Sequence, residues 1–239
     1  MARRENPERV GSMLDHLDEL RSRLLRSVIA IGIGFAISLL FYEELWEVLR
    51  APFDASFDGD LQSTLPAEPF SVAMRVAGFG GVILASPYLV WQAWAFISPG
   101  LTARERRWAV PIVTALAVLF VGGVAFAYTI LPRALEVLGG FLDVDYSPTI
   151  GQYTTFALRF LLVFGLTFEF PVFLFGAAAI GAISSEQLRK GRRWAVLVIV
   201  VVAAAATPTG DAFTLALLAV PLYLLYEVTL LLVRLVLRK

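Results

Sequence analysis

The chain has 239 residues, of which 58% are hydrophobic and 17% charged, and its mean hydropathy is +0.74. Soluble domains are usually about a quarter charged, so this composition excludes an ordinary soluble protein, and apolar runs of roughly 20 residues indicate membrane-spanning helices. The net charge is zero, which indicates no nucleic-acid partner, and the absence of Cys with a single His argues against a metal site.

Residues 12–25 are predicted to form an amphipathic helix that lies on the membrane surface and then turns into the first span. Ser12 followed by Asp15 has the pattern of a capping box. The apolar stripe of this helix consists of Met13, Leu17, Leu20 and Leu24. This spacing of three and four residues is the reason for the prediction.

Six apolar runs are predicted to span the membrane, so that residues 1–239 form one all-α integral membrane domain. The approximate spans are 24–42, 72–97, 108–131, 156–183, 194–206 and 212–233. A short amphipathic helix broken at Pro52 is expected after the first span, and another short piece at 134–142 after the third. The fifth run gives a helix of roughly 20 Å, which is shorter than the hydrocarbon core of about 30 Å. The sixth span is also short if Glu227 lies at the inner boundary of the membrane.

The orientation follows from the distribution of Lys and Arg between the two sides of the predicted topology. The side with both termini carries 16 of these residues and the other side carries 4. Because cytoplasmic loops carry the excess of positive charge, both termini are predicted to lie in the cytoplasm.

Glu169 lies inside the fourth predicted span, among apolar residues. An ionised carboxylate in lipid costs several kcal/mol, so the side chain must face protein or water, or carry a proton. One interpretation is a polar docking point or proton-linked switch on a concave face. The other is a structural residue bonded to a neighbour such as Thr167 or Arg159.

Two acids on the predicted cytoplasmic side could accept a bidentate bond from a guanidinium. Glu105 equally fits a helix cap after Thr102, and Glu19 equally fits an ion pair with Arg23 four positions on. Phe96 is either a core residue or a wedge beside such a site.

Enzyme motifs are missing: the sequence has no His-Glu-x-x-His, no paired carboxylates in one span and no Gly-rich phosphate loop. The residues leave two hypotheses open: a proton-coupled secondary transporter of a small solute that uses Glu169, and an intramembrane hydrolase built on Asp211 and Glu169. The two halves of the chain show no repeat, which argues against the transporter. Asp211 is expected in an outer turn and not at the depth of Glu169, which argues against the hydrolase. Glu227 is expected at the interface, with Arg234 as its partner.

Several short motifs follow one another in the order of the predicted spans. They are HLDELR at 16–21, APF at 51–53, SP at 86–87, QAWAF at 92–96, SPGL at 98–101, ERR at 105–107, FAY at 126–128, FGLTFEFP at 164–171, LRK at 188–190, TP at 207–208 and Asp211. In these motifs the chain resembles the TatC family, the multispanning receptor subunits of the twin-arginine (Sec-independent) protein translocase.

The resemblance implies a receptor in the cell (inner, cytoplasmic) membrane that binds the twin-Arg signal peptides of folded export substrates at the cytoplasmic face. It implies that Glu19 and Glu105 form the recognition site, with Phe96 in support and Arg21 among the candidate residues. It also implies single-span partners, TatA and TatB, further copies of the chain in a larger complex, and export driven by the proton gradient. No cofactor is implied.

The resemblance gives further residues a role. Glu169 is expected on a concave face that contacts the single-span partners, and the short fifth and sixth spans are expected to form their docking edge. Pro52, Tyr128 and Asp211 match outer-side positions that are linked to function in the family.

Overall fold

The computed structural model describes residues 7–57, 59–97, 109–140, 148–179, 181–206 and 212–236. Over these residues the chain is helical apart from loops and one isolated bridge between Gln62 and Thr149. The helices are α1 Pro7–Leu40, α2 Tyr42–Asp54, α3 Glu68–Ile97, α4 Ala109–Gly139, α5 Ile150–Phe168, α6 Phe170–Ala179, α7 Ser185–Lys190, α8 Arg192–Ala206 and α9 Ala212–Val236. The all-α fold class predicted from the sequence is confirmed.

Five helical segments of the described chain are long and apolar enough to cross a membrane. They are His16–Leu40, Glu68–Phe96, Val110–Val137, Ile150–Ala179 and Leu215–Val236. The predicted fifth span corresponds to α8, whose 15 residues give about 22 Å of helix. Crossing by α8 therefore stays a prediction. As a helix α9 is not short, because it continues past Glu227 to Val236 and has 25 residues.

The N-terminal segment differs from the expectation. No turn separates a surface helix from the first span, because α1 is one continuous helix of 34 residues from Pro7 to Leu40. Ser12 is therefore inside the helix and does not begin it. Residues 26–40 contain no Pro and are almost entirely apolar, so nothing there stops the helix.

Two predicted breaks, at Pro52 and between the third span and the piece at 134–142, are not present. Pro52 lies within α2 and Pro132 within α4, so residues 134–139 extend the third span without a break. A third proline, Pro171, lies two residues after Glu169, the single residue that separates α5 from α6. Proline has no N–H and therefore removes one helical hydrogen bond at this point.

Helices α1 and α3 come into close backbone contact at two glycines. A Cβ atom added to Gly81 would lie 2.6 Å from the backbone nitrogen of Phe35 and 3.0 Å from the carbonyl carbon of Gly34. A Cβ added to Gly34 would lie 2.6 Å from the carbonyl oxygen of Gly81. The two backbones therefore touch directly, as small residues permit in membrane helix pairs. This contact positions the start of α1 beside the end of α3.

The helix ends form two groups, which we name the basic end and the opposite end. The basic end contains the start of α1 from His16, the end of α3, the helix α7, the start of α8 and the end of α9. Its basic residues in the described chain are Arg21, Arg23, Arg26, Arg189, Lys190, Arg192, Arg193 and Arg234. The opposite end contains α2, the loop residues 55–57 and 59–67, the end of α4 and the starts of α3 and α5. Glu68 at the start of α3 accepts a hydrogen bond from the backbone amide of Gly151 in α5 at 2.9 Å.

Candidate functional site

A polar cluster joins α1 to α3 at the basic end. The Glu19 carboxylate accepts from Nε and Nη2 of Arg23 at 2.9 and 2.6 Å, and Nη1 of Arg23 donates to the amide oxygen of Gln92 at 3.2 Å. The Glu19 side chain remains 32% exposed. The predicted pairing of Glu19 with Arg23 is thus confirmed, and the acid is still reachable from solvent.

An aromatic pair lies next to this cluster. The ring of His16 stacks on Phe96 with centroids 4.3 Å apart and planes 18° from parallel, and Nδ1 of His16 lies 3.9 Å from a Glu19 oxygen. Phe96 therefore lies close to Glu19 through His16, although the two residues are on different helices. Arg21 is exposed on α1.

Two of the predicted site residues, Glu105 and Asp211, lie outside the described residues. Their positions relative to the cluster around Glu19 are not part of the described structure, and their roles stay predictions.

Glu169 borders an open apolar cavity of about 580 Å³ that is lined by α3, α4 and the α5–α6 segment. The residue is 7% exposed and is the one charged side chain among the described residues that line the cavity. Neither carboxylate oxygen has a hydrogen-bond partner in the described chain; the backbone of Phe120 faces the carboxylate without hydrogen-bond geometry. A buried acid without a partner is unusual and calls for a functional or structural explanation.

The structural interpretation of Glu169 predicted a bond to Thr167 or Arg159, and neither bond is formed. The Thr167 hydroxyl donates to the carbonyl oxygen of Val163, one turn earlier in its own helix. Arg159 is exposed and lies in a pocket toward the opposite end. The two residues are ten positions apart, about 15 Å along a helix, which is beyond the reach of a direct bond.

Pro52 and Tyr128 come together at the opposite end. Pro52 has no N–H, so the carbonyl of Val48 four positions earlier loses its helical donor. The Tyr128 hydroxyl donates to that carbonyl oxygen at 2.8 Å, and the buried Tyr153 hydroxyl donates to the next one, that of Leu49. Two tyrosines from α4 and α5 therefore stabilise the backbone of α2 where the proline weakens it.

Glu227 was expected to pair with Arg234, but in the structure it pairs with Arg192. One oxygen accepts from Nη2 of Arg192 at 2.7 Å, and the other accepts from the Tyr223 hydroxyl at 2.9 Å. Arg234 is seven positions away on the same helix, nearly two turns, whereas Arg192 begins the adjacent α8. The bond connects the start of α8 to α9, so the part of α9 before Glu227 is about as long as α8.

Two contacts of the cluster could not be read from the sequence. Gln92 and His16 were noticed as parts of motifs but were not predicted to bind Arg23 and Phe96. Their partners are far away in the chain, 69 positions in the case of Gln92. The available signal was weak, since an amide inside an apolar segment generally needs a polar partner.

Comparisons with known proteins agree with one family. A family model described as Sec-independent protein translocase protein (TatC) matches residues 15–221. Proteins described as Sec-independent protein translocase protein TatC are 39% identical in Carboxydothermus hydrogenoformans, over 91% of this chain and 90% of the relative, and 36% identical in Aquifex aeolicus, over 95% and 96%. The relative in Koribacter versatilis is 35% identical, over 90% of this chain and 82% of the relative.

Two solved structures have the same fold. A crystal structure of the twin arginine translocase receptor TatC is 36% identical with a TM-score of 0.77, over 92% of this chain and 98% of that chain. A second, described as TatC in DDM, is 36% identical with a TM-score of 0.79, over 91% and 98%. The hypotheses of a solute transporter and an intramembrane hydrolase gain no support from these matches. The chain belongs to the TatC family, the multi-pass membrane receptor components of the Sec-independent protein translocase, and is not an enzyme.

Proposed function

We propose that the basic end binds twin-Arg signal peptides of folded export substrates. The observation that carries the proposal is the Glu19 carboxylate, which already binds a guanidinium through two of its nitrogen donors and is still partly exposed. A peptide arginine offers the same planar fork as Arg23, whereas lysine offers a single point charge.

Binding is then an exchange of one guanidinium for another. The first peptide arginine replaces Arg23 on Glu19, and Glu105 accepts the second. The stacked rings of His16 and Phe96 provide an apolar wall next to the peptide. The surrounding arginines must turn toward solvent or lipid headgroups, because they would repel the ligand otherwise.

The test measures binding of a fluorescent twin-Arg peptide to the purified chain, with a twin-Lys peptide as control. Glu19→Gln is expected to weaken binding roughly tenfold to a hundredfold, since it removes a charge-assisted hydrogen bond. Asp18→Asn removes a neighbouring exposed acid and is expected to have little effect. Equal losses in both variants, or equal binding of the twin-Lys peptide, would count against Glu19 as the site.

We also propose that the cavity beside Glu169 receives a helix of a single-span partner, TatA or TatB. A partner side chain that donates a hydrogen bond would satisfy the carboxylate that lacks one in the described chain. Glu169→Ala is then expected to weaken the assembled complex on native gels while peptide binding stays normal. Glu169→Gln, which keeps polar atoms at the same position, is expected to lose less. An intact complex with the alanine variant would refute this role.

We propose further that the whole chain is one domain of six spans, with the basic end in the cytoplasm and other copies of itself in the assembled translocase. The support is the accumulation of Lys and Arg at that end. Because the chain has no Cys, single substitutions report topology without background. In intact cells an impermeant maleimide is expected to label Ser63→Cys and not Ser22→Cys. The reverse pattern would invert the topology.

A further inference from the structure

A second pocket, of about 610 Å³, lies at the opposite end, between the first turns of α3 and α5. It contains two exposed arginines, Arg75 from α3 and Arg159 from α5. Nη1 of Arg75 donates to the Thr155 hydroxyl on α5 at 2.6 Å, which directs this guanidinium across the pocket. Two positively charged groups from different helices therefore share one concave surface.

These arginines differ from the other two at this end of the molecule. Arg50 is paired with Asp54 and Asp60 at 2.9 Å each, and Arg133 is paired with Glu136 at 2.7 Å. Arg75 and Arg159 form no ion pair within the described ranges. The charges of Arg50 and Arg133 are thus neutralised by acids of the chain, whereas those of the two pocket arginines are available to a ligand.

The pocket contains one carboxylate, Glu68, and its oxygens are already bonded. One oxygen accepts from the backbone amide of Gly151 and the other from that of Thr64, both at 2.9 Å. Glu68 thereby fastens the loop before α3 to the start of α5. The two guanidinium groups and this carboxylate leave the described lining with a net charge of +1.

The depth of the arginines indicates what kind of anion they meet. Arg75 is seven residues, about 10 Å, from the start of α3, and Arg159 is nine residues, about 14 Å, from the start of α5. Both lie inside candidate membrane spans. A guanidinium at this depth extends toward the headgroup layer and needs an anion or water there. Leu65, an apolar residue of the pocket lining, is 65% exposed.

We propose that this pocket binds the phosphate of an anionic phospholipid from the leaflet at the opposite end. The guanidinium groups of Arg75 and Arg159 bind its non-bridging oxygens, and the acyl chains lie along the apolar surface between α3 and α5. A phosphodiester matches the fork geometry of arginine and balances the excess charge of the lining. The proposal does not depend on signal-peptide binding or on the orientation proposed above.

The experiment titrates the full chain in a mild detergent with phosphatidylglycerol and with phosphatidylcholine, and counts bound lipids by native mass spectrometry. The double variant Arg75→Gln/Arg159→Gln is expected to bind phosphatidylglycerol roughly 25-fold more weakly at its tightest site, about fivefold for each arginine. Arg133→Gln, which removes an arginine already paired, is expected to match the wild type. A Lys/Lys double variant keeps the charge but lacks the fork, and is expected to bind the lipid more tightly than the glutamine variant and less tightly than the wild type.

Three results would overturn the proposal. The first is unchanged phosphatidylglycerol binding in a folded glutamine double variant. The second is displacement of the lipid by an equal concentration of inorganic phosphate, because the pocket would then be a site for a free anion. The third is unchanged lipid binding together with lost assembly of the single-span partners, because an acidic side chain of a partner would then be the ligand.

Discussion

The glycine contact between α1 and α3 predicts that one alanine substitution is damaging and another on the same helix is not. In Gly81→Ala the new methyl group would lie 2.6 Å from the nitrogen and 2.8 Å from the Cα of Phe35. Carbon atoms in ordinary contact are about 3.5–4.0 Å apart, so the helices must separate by roughly 1 Å. Both atoms belong to the backbone, which cannot rotate away as a side chain could. Gly78→Ala is the control, because nothing lies within 4 Å of its added Cβ.

The expected cost follows from these distances. Overpacking a tight contact costs about 1–3 kcal/mol, and a separation of 1 Å also forfeits part of the dispersion energy along α1. Replacing a helical glycine by alanine gains up to about 1 kcal/mol where the space is free. The two variants are therefore expected to differ by roughly 2–4 kcal/mol in the free energy of unfolding, with Gly81→Ala the less stable.

The assay is unfolding in mixed micelles, followed by circular dichroism and tryptophan fluorescence, with peptide binding measured on the same samples. Because α1 carries Glu19 to its place beside Phe96, we expect Gly81→Ala to weaken peptide binding as well. Equal stability of the two variants, or a Gly78→Ala variant as unstable as Gly81→Ala, would refute the packing argument.

Three other substitutions test separate contacts. Tyr128→Phe is expected to lower the free energy of unfolding by about 1 kcal/mol, and by less in a Pro52→Ala background, where the alanine N–H can bond the Val48 carbonyl. Equal losses in the two backgrounds would contradict this coupling. Arg23→Gln is expected to tighten binding of a twin-Arg peptide, because it removes the guanidinium that competes for Glu19, whereas Arg26→Gln is expected to leave binding unchanged. Weaker peptide binding by the Arg23 variant would contradict the proposed exchange of guanidinium groups on Glu19. Glu227→Gln is expected to increase proteolysis at the start of α8, because it weakens the bond from Arg192 to α9; unchanged protection of that site would contradict this role.

Much of the fold could be predicted because the dominant signal is local. Long apolar runs, acids in α2 and basic loops are properties of short windows, and they correctly indicated an all-α membrane protein. The continuous α1 was missed because an amphipathic stretch and an apolar stretch look like two elements in sequence. In the structure no breaker residue separates them.

The errors at prolines have a different cause. Whether Pro52 breaks α2 depends on whether the freed carbonyl finds a donor, and the donor is Tyr128, 80 residues from that carbonyl in the chain. The same holds for Glu227, whose partner Arg192 is 35 residues away. Predicting such contacts requires the packing of the helices, which local patterns do not contain.

If α8 crosses the membrane, as predicted above, its length has an energetic consequence for the surrounding lipid. A crossing helix of about 22 Å leaves a deficit of roughly 8 Å against a hydrocarbon core of about 30 Å. At fractions of a kcal/mol for each ångström, the elastic deformation of the surrounding lipid amounts to a few kcal/mol. A neighbouring helix that covers this edge relieves the lipid deformation. Its association there would therefore be favourable in free energy even before any specific bond is formed.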